Sequence, residues 1–101
     1  MYIMTHRIRF NDELEKWLKD YIDTNHKHIS DYTYEITDGG KKVEFSGYMY
    51  QLNSDSAMAG IKVFEEKMPI TFLEIVSSKN FFKFIYKFND DADFDNLLVY
   101  E

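Results

Sequence analysis

Hydrophobic and polar residues alternate along five parts of this chain, which is the pattern of half-buried β-strands. The strongest alternation lies in Phe81–Phe88. There Phe82, Phe84, Tyr86 and Phe88 project to one side, because successive side chains of a strand alternate faces. The same pattern predicts further strands over residues 2–10, 32–36, 42–52 and 70–76. We therefore expect a sheet with one strongly apolar face.

One segment near the start of the chain has the spacing of a helix instead. Its apolar residues recur every three or four positions and form a single stripe: Leu14, Trp17, Leu18, Tyr21 and Ile22. Asn11 and Asp12 offer an N-cap, and Asp12 with Glu15 three residues later matches a capping box. The sequence thus predicts an amphipathic helix that ends near Thr24.

Residues 54–68 fit two structures, of which we favour a helix. An apolar stripe at helical spacing supports the helix: Ala57, Ile61, Phe64 and Met68. Ser54 could cap such a helix, and Pro69 would end it. Against a helix, Gly60 lowers helical stability, and residues 61–64 could also be extended.

Turn residues connect these elements. Asp38–Gly40 predicts a hairpin turn between the second and third strands, and residues 77–80 predict a four-residue polar turn between the last two. Gly47, inside a predicted strand, indicates a bulge or a close backbone contact. Residues 93–100 fit either a short closing helix or an edge strand through residues 97–99.

The elements follow the order β-α-β-β-(α)-β-β-(α), which predicts the α+β class. We expect an antiparallel sheet of about five strands with one or two helices packed on one face. The length of 101 residues fits one compact domain over residues 1–101, with residues 89–101 as an acidic C-terminal segment.

Composition and charge narrow the possible partners. The chain has 18 acidic and 12 basic residues, a formal net charge of −6. Phosphate backbones repel such a surface unless lysines form a patch, and the sequence shows none, so we expect no direct nucleic-acid partner. The absence of cysteine excludes disulfides and thiolate metal sites. Without the apolar run of a signal peptide or membrane span, we expect a cytoplasmic protein with no membrane contact.

Four carboxylates within six residues are the strongest polar feature: Asp90, Asp91, Asp93 and Asp95. Such a run could steer a basic partner and bind its arginines, with interleaved apolar residues as anchors. The alternative is a solvated terminus that keeps the protein soluble and protects a sheet edge. The predicted partner-binding residues are Asp90, Asp91, Asp93, Phe94, Asp95, Glu65 and Glu66.

No group of residues predicts catalysis, a metal or a cofactor. His26 and His28 could face the same side, with His6 as a third ligand, but zinc sites need three or four well-placed ligands. We interpret this pair as solvated loop histidines. Residues 43–50 are similar to a strand of the RNA-recognition motif, yet the leading basic residue and glycine of that motif are absent. The chain also lacks a Gly-x-Ser-x-Gly turn and a phosphate-binding loop.

Size, negative charge and the lack of a catalytic group together favour a small protein-binding module without enzymatic activity. We expect an inhibitor or adaptor that occupies a basic, nucleic-acid-binding type of surface, in the style of phage-encoded inhibitors or immunity proteins. The alternative is a small-ligand or enzyme-like module with an aromatic pocket lined by Trp17, Tyr32, Tyr34 and Phe84. A homodimer through exposed strand edges is a third possibility.

Overall fold

The computed structural model describes residues 7–49 and 54–101. Within these residues the chain forms six strands and three helices. In chain order they are β1 (Ile8–Phe10), α1 (Asp12–Asn25), β2 (Ser30–Thr37), β3 (Lys42–Tyr48), α2 (Ser54–Lys67), β4 (Ile70–Ser78), β5 (Phe81–Phe88), α3 (Phe94–Leu97) and β6 (Leu98–Tyr100). The α+β class and the predicted order of elements are confirmed. The predictions for residues 2–6 and 50–52 lie outside the described residues.

The strands form two antiparallel sheets, where the sequence predicted one sheet of about five strands. Four strands pair in the order β2-β3-β5-β4, and β1 pairs only with β6. In the small sheet Arg9 faces Val99 and Phe10 faces Leu98. The sequence could not show this arrangement, because alternation within a strand does not identify the strand beside it.

Two similar units build the four-stranded sheet. The first consists of α1, β2 and β3, and the second of α2, β4 and β5. Each begins with a helix of 14 residues, followed by an outer strand and then an inner strand. The two inner strands, β3 and β5, pair along their full length from Lys42↔Lys87 to Tyr48↔Phe81. No internal repeat is visible in the sequence, because the two units share topology and not residues.

Both helices contribute to a single core on one face of the sheet, which we call the inner face. The ring of Phe64 on α2 lies 4.8 Å from that of Phe45 on β3 and 5.7 to 5.9 Å from those of Tyr21 and Trp17 on α1. The predicted apolar face of β5 is confirmed, since its alternate residues are all buried: Phe82, Phe84, Tyr86 and Phe88. The stripes predicted for α1 and α2 are confirmed as well.

The start of α1 differs in detail from the predicted capping box. Asn11 is the N-cap, and its side-chain oxygen accepts a hydrogen bond from the Leu14 amide at 2.8 Å. Glu15 instead accepts a hydrogen bond from the Tyr34 hydroxyl at 2.6 Å, and that hydroxyl accepts one from the Phe10 amide at 3.0 Å. Tyr34 thereby joins β1, α1 and β2. Glu15 therefore makes a tertiary contact in place of the local hydrogen bond of a capping box. The sequence motif could not reveal this contact.

Three other local predictions are resolved by the structure. Residues 54–67 are helical, as favoured. The turn between β4 and β5 contains only Lys79 and Asn80, because Ser77 and Ser78 continue the strand. Both alternatives for the C-terminal segment occur in part, since one helical turn at Phe94–Leu97 leads directly into β6.

Gly47 makes the close contact that its position in a strand predicted. A Cβ atom at this position would lie 2.9 Å from the Ile29 Cγ2 methyl and 3.2 Å from the Phe82 ring. Contacts this short require the neighbours to move, and both neighbours are packed in the core. Glycine is therefore required here by space.

Two tyrosines on the inner face, the partly buried Tyr34 and the buried Tyr86, differ in the hydrogen bonds of their hydroxyls. The Tyr34 hydroxyl has the two partners described above. Tyr86 is 0% exposed, and its hydroxyl has no hydrogen-bond partner among the described residues. Burial is the largest cause that raises the pKa of Tyr86 above its usual range, followed by the charge of Glu65. A buried, unpaired hydroxyl lowers stability relative to an apolar atom of the same shape.

We expect Tyr86→Phe and Tyr34→Phe to change stability in different directions. Tyr86→Phe should leave the free energy of unfolding unchanged or raise it by up to about 1 kcal/mol, because it removes an unpaired polar atom. Tyr34→Phe should lower it by about 1–3 kcal/mol, because it leaves the Phe10 amide unpaired. Urea unfolding monitored by circular dichroism measures both values. Equal losses in the two variants would contradict this difference in hydrogen bonding.

Candidate partner-binding surface

The acidic run begins beside the connection between α2 and β4. The Asn89 amide donates a hydrogen bond to the Pro69 carbonyl at 2.8 Å, and the Thr71 hydroxyl donates one to the Asn89 side-chain oxygen at 2.6 Å. Asp90 and Asp91 follow directly and are exposed. Glu66, also exposed, precedes Pro69 by three residues. The run and the end of α2 therefore lie at the same end of the sheet.

The N-terminus of α1 is tied to this end as well. The Asn11 amide donates a hydrogen bond to the Leu97 carbonyl at 2.9 Å, and the Asn11 side chain donates one to the Asn96 carbonyl at 2.6 Å. Exposed carboxylates from three segments therefore lie at one end of the fold. We call this surface the acidic end, and it consists of Asp12, Glu13, Glu66, Asp90, Asp91, Asp93 and Asp95.

Two basic side chains near the acidic end have partners of their own, while the exposed Lys41 and Lys87 lie next to Phe88, close to the start of the run. Arg9 binds Asp12 at 2.8 Å, Glu15 at 3.3 Å and also Glu101. The Lys67 ammonium lies 5.4 Å from the centre of the Trp17 ring, within cation–π range. Among the described residues, no ion pair joins a basic side chain to any of the four aspartates of the run. The Asp93 carboxylate instead accepts a hydrogen bond from the Asn96 side chain.

Two residues of the predicted set have structural contacts of their own. The ring of Phe94 is half-buried and lies 5.6 Å from that of Phe88, so Phe94 packs onto the core. One Glu65 carboxylate oxygen accepts a hydrogen bond from the Phe72 amide of β4 at 3.1 Å. Leu98 is also buried, and Tyr100 remains 60% exposed. The apolar residues interleaved with the acids therefore mostly anchor the C-terminal segment to the fold.

The opposite, outer face of the sheet carries a basic pair that the sequence did not indicate. Lys42 on β3 lies directly opposite Lys87 on β5. Further along, Lys83 forms an ion pair with Glu44 at 3.5 Å, and the Tyr48 and Phe81 rings lie 5.4 Å apart. The alternation of Lys83 and Lys87 was visible in the sequence, but finding Lys42 beside them requires the strand register. The outer face thus has mixed charge, and its Lys42–Lys87 pair lies at the end of β5 that leads into the acidic run.

The aromatic pocket that was considered as an alternative is small. A cavity of about 30 Å³ lies between the helices and the sheet, with Tyr32 and Phe84 in its lining. Trp17 and Tyr34 do not line it. Ligand pockets typically measure about 300–1,000 Å³, whereas this cavity could hold one or two waters. It does not provide the volume that a metabolite needs.

A wider depression lies between α1 and β2. It has a volume of about 800 Å³, is open to solvent, and is lined by apolar and charged side chains that include Tyr32 and Tyr34. Small-molecule sites usually enclose most of the ligand surface, which an open groove does not do.

No helix in the described part of the chain is long and apolar enough to span a membrane.

His26 and His28 lie at the edge of the small cavity, with ring centres 5.9 Å apart. Within residues 7–49 and 54–101, no group of three or more histidines and carboxylates could hold a metal ion. Burial, and then the charge of His28, lower the pKa of His26. His6, the third predicted ligand, lies outside the described residues.

The lowered pKa of His26 predicts a loss of stability in mild acid. The unfolded chain binds the His26 proton near the ordinary pKa of about 6.5, while the folded chain resists it. The free energy of unfolding should therefore fall as pH decreases from about 7.5 through 6.5. His26→Gln should reduce this fall, as measured by urea unfolding at each pH. His28→Gln should preserve most of it, because burial is the larger cause; an unchanged profile in His26→Gln would contradict the assignment.

Comparison with known proteins gives no match: no protein family, curated protein or solved structure is similar to this chain.

Proposed function

We propose that this protein is a binding module whose acidic end occupies a basic surface of a partner protein, as an inhibitor or adaptor. The observation that carries the proposal is that three separate segments place exposed carboxylates at one end of the fold. The aspartates of the run make no ion pairs within the described residues, so their carboxylates could bind basic groups of a partner.

The mechanism is electrostatic complementarity. Arginine and lysine side chains of the partner would form charge-assisted hydrogen bonds to the carboxylates. The field of the acidic end would also accelerate association, and salt would weaken both effects. Proteins that bind nucleic acid present basic surfaces of this kind. The acidic end would then act as a mimic of the phosphate backbone, in the manner of phage-encoded or immunity-type inhibitors.

The rigidity of the surface supports a role in recognition. The run is fastened to the fold by Asn89, by the packing of Phe94 and by the contacts of Asn11 with residues 96 and 97. Carboxylates held in place lose less conformational entropy on binding than those of a flexible tail.

We expect charge reversal at the acidic end to abolish partner capture without loss of stability. The test variant replaces Asp90, Asp91 and Asp95 by lysine, and leaves Asp93 unchanged because it accepts a hydrogen bond from Asn96. The immobilised wild type should retain a protein from native lysate that is released by salt and by added duplex DNA or RNA. The variant should not retain this protein, and its melting temperature should change little.

A matched control reverses three exposed acids elsewhere, Asp20, Asp23 and Glu35, and so has the same net charge as the test variant. This control should capture the partner as the wild type does. If the test variant still retains the partner protein, or if both variants fail to retain it, the acidic end is not the binding surface. Capture that is insensitive to salt would exclude charge mimicry.

A further inference from the structure

The outer strand β4 carries half of the large hydrophobic residues that are exposed in the described part of the chain. There are six such residues, and three of them lie on this strand: Leu73 at 45%, Ile75 at 40% and Val76 at 45%. Ile75 lies on the inner face opposite Phe84, and Val76 on the outer face opposite Lys83. The apolar surface therefore wraps around the strand edge, an arrangement typical of interaction sites.

The first half of this edge is closed and the second half is open. The Phe72 amide points away from β5 and is capped by Glu65 at 3.1 Å, and the pairing is interrupted at Leu73. Beyond that, the two-residue turn makes Ser78 and Phe81 a hydrogen-bonded pair. The alternation of an antiparallel ladder then directs the backbone groups of Ile75 and Ser77 to the outer edge. No strand among the described residues pairs with them.

The opposite edge of the sheet is protected. On β2 the exposed Asp31 and Glu35 put charges along the edge strand, and the ladder is interrupted between Ser30 and Thr33. Charged residues and bulges of this kind prevent edge-to-edge pairing. Between Ile75 and Ser78, β4 has neither a charged residue nor a bulge. The two outer strands of the sheet therefore differ in their capacity to accept a further strand.

We propose that the second half of β4 pairs antiparallel with β4 of a second copy, and that Val76 lies on the two-fold axis. In this register Ile75 of each copy pairs with Ser77 of the other. All backbone groups that face the open edge are thereby satisfied, and neither the bulge nor the turn is involved. The two sheets become one sheet of eight strands. Val76 contacts Val76 of the second copy on the outer face.

Charge complementarity favours a second copy in this register. Glu74 of each copy faces Ser78 of the other, so like charges do not meet directly. Lys79 faces Leu73 of the second copy, one residue from Phe72, where Glu65 caps the amide. Each Lys79 is therefore brought towards one Glu65, and the two contacts are equivalent by symmetry.

The small size of the paired segment limits the affinity between the two copies. Three apolar side chains and a few backbone groups per copy bury less than the roughly 1,200 Å² of standard stable interfaces. The dimer should therefore depend on protein concentration. It does not involve the aspartates of the acidic run, because none of Asp90, Asp91, Asp93 and Asp95 lies on β4.

A single introduced cysteine tests the register, because the natural chain has none. Val76→Cys should form a disulfide-linked dimer under mild oxidation, since residues on the axis of a non-hydrogen-bonded pair have Cα atoms about 4.5 Å apart, within disulfide range. Ser78→Cys is the matched control on the same face. In the proposed register its two copies lie about 13 Å apart, four residues along the strand. Val76→Cys should cross-link about tenfold faster or more, as its thiols are held together at high effective concentration.

Sedimentation of cysteine-free chains provides the second measurement. The average mass of the wild type and of Tyr48→Lys, an equally exposed position on β3, should rise with concentration. Val76→Lys should remain monomeric while its circular dichroism stays that of the wild type. Equal cross-linking rates for the two cysteine variants would overturn the register. A wild type that is monomeric at every concentration would overturn the dimer and leave the edge to a strand of another protein.

Discussion

The packing of Phe64 against Phe45 is the contact on which the rest of the fold depends. Phe64 lies on α2 in the second unit, and Phe45 on β3 in the first, so the contact joins the two units across the sheet. Trp17 and Tyr21 of α1 pack on the other side of Phe64. Phe45 is fully buried and Phe64 nearly so. Burial of aromatic rings is the largest favourable contribution that a chain of this size can make to stability.

This aromatic layer fills the space between the helices and the sheet. The cavity beside it measures about 30 Å³, and the hydroxyl of Tyr86 is enclosed with no partner among the described residues. The polar groups that are well ordered instead lie where segments meet. Arg9, Glu15 and Tyr34 connect β1, α1 and β2, and Asn11 connects α1 with the C-terminal segment. These connections bring the acidic run to the start of α1 and the end of α2.

The locally determined elements could be predicted well. The stripes of α1 and α2, the alternation in β3 and β5, and the close contact at Gly47 all follow from how one segment buries its own side chains. Predictions that depended on contacts between segments were less complete. The capping box at Asp12 and Glu15 was wrong, because Asn11 is the N-cap and Glu15 accepts a hydrogen bond from Tyr34. The partner-binding role of Phe94 stays a prediction, and its ring packs on Phe88.

From its residues alone, the chain specifies helices and strands, an apolar inner face and a negative net charge, because periodicity and composition are properties of each segment. The relations between segments come from the folded arrangement: the pairing of β1 with β6, the juxtaposition of Lys42 and Lys87, the capping of the β4 edge by Glu65 and the assembly of the acidic end. These depend on strand register and helix placement. Both are set by how all the apolar faces pack together, which no single segment encodes.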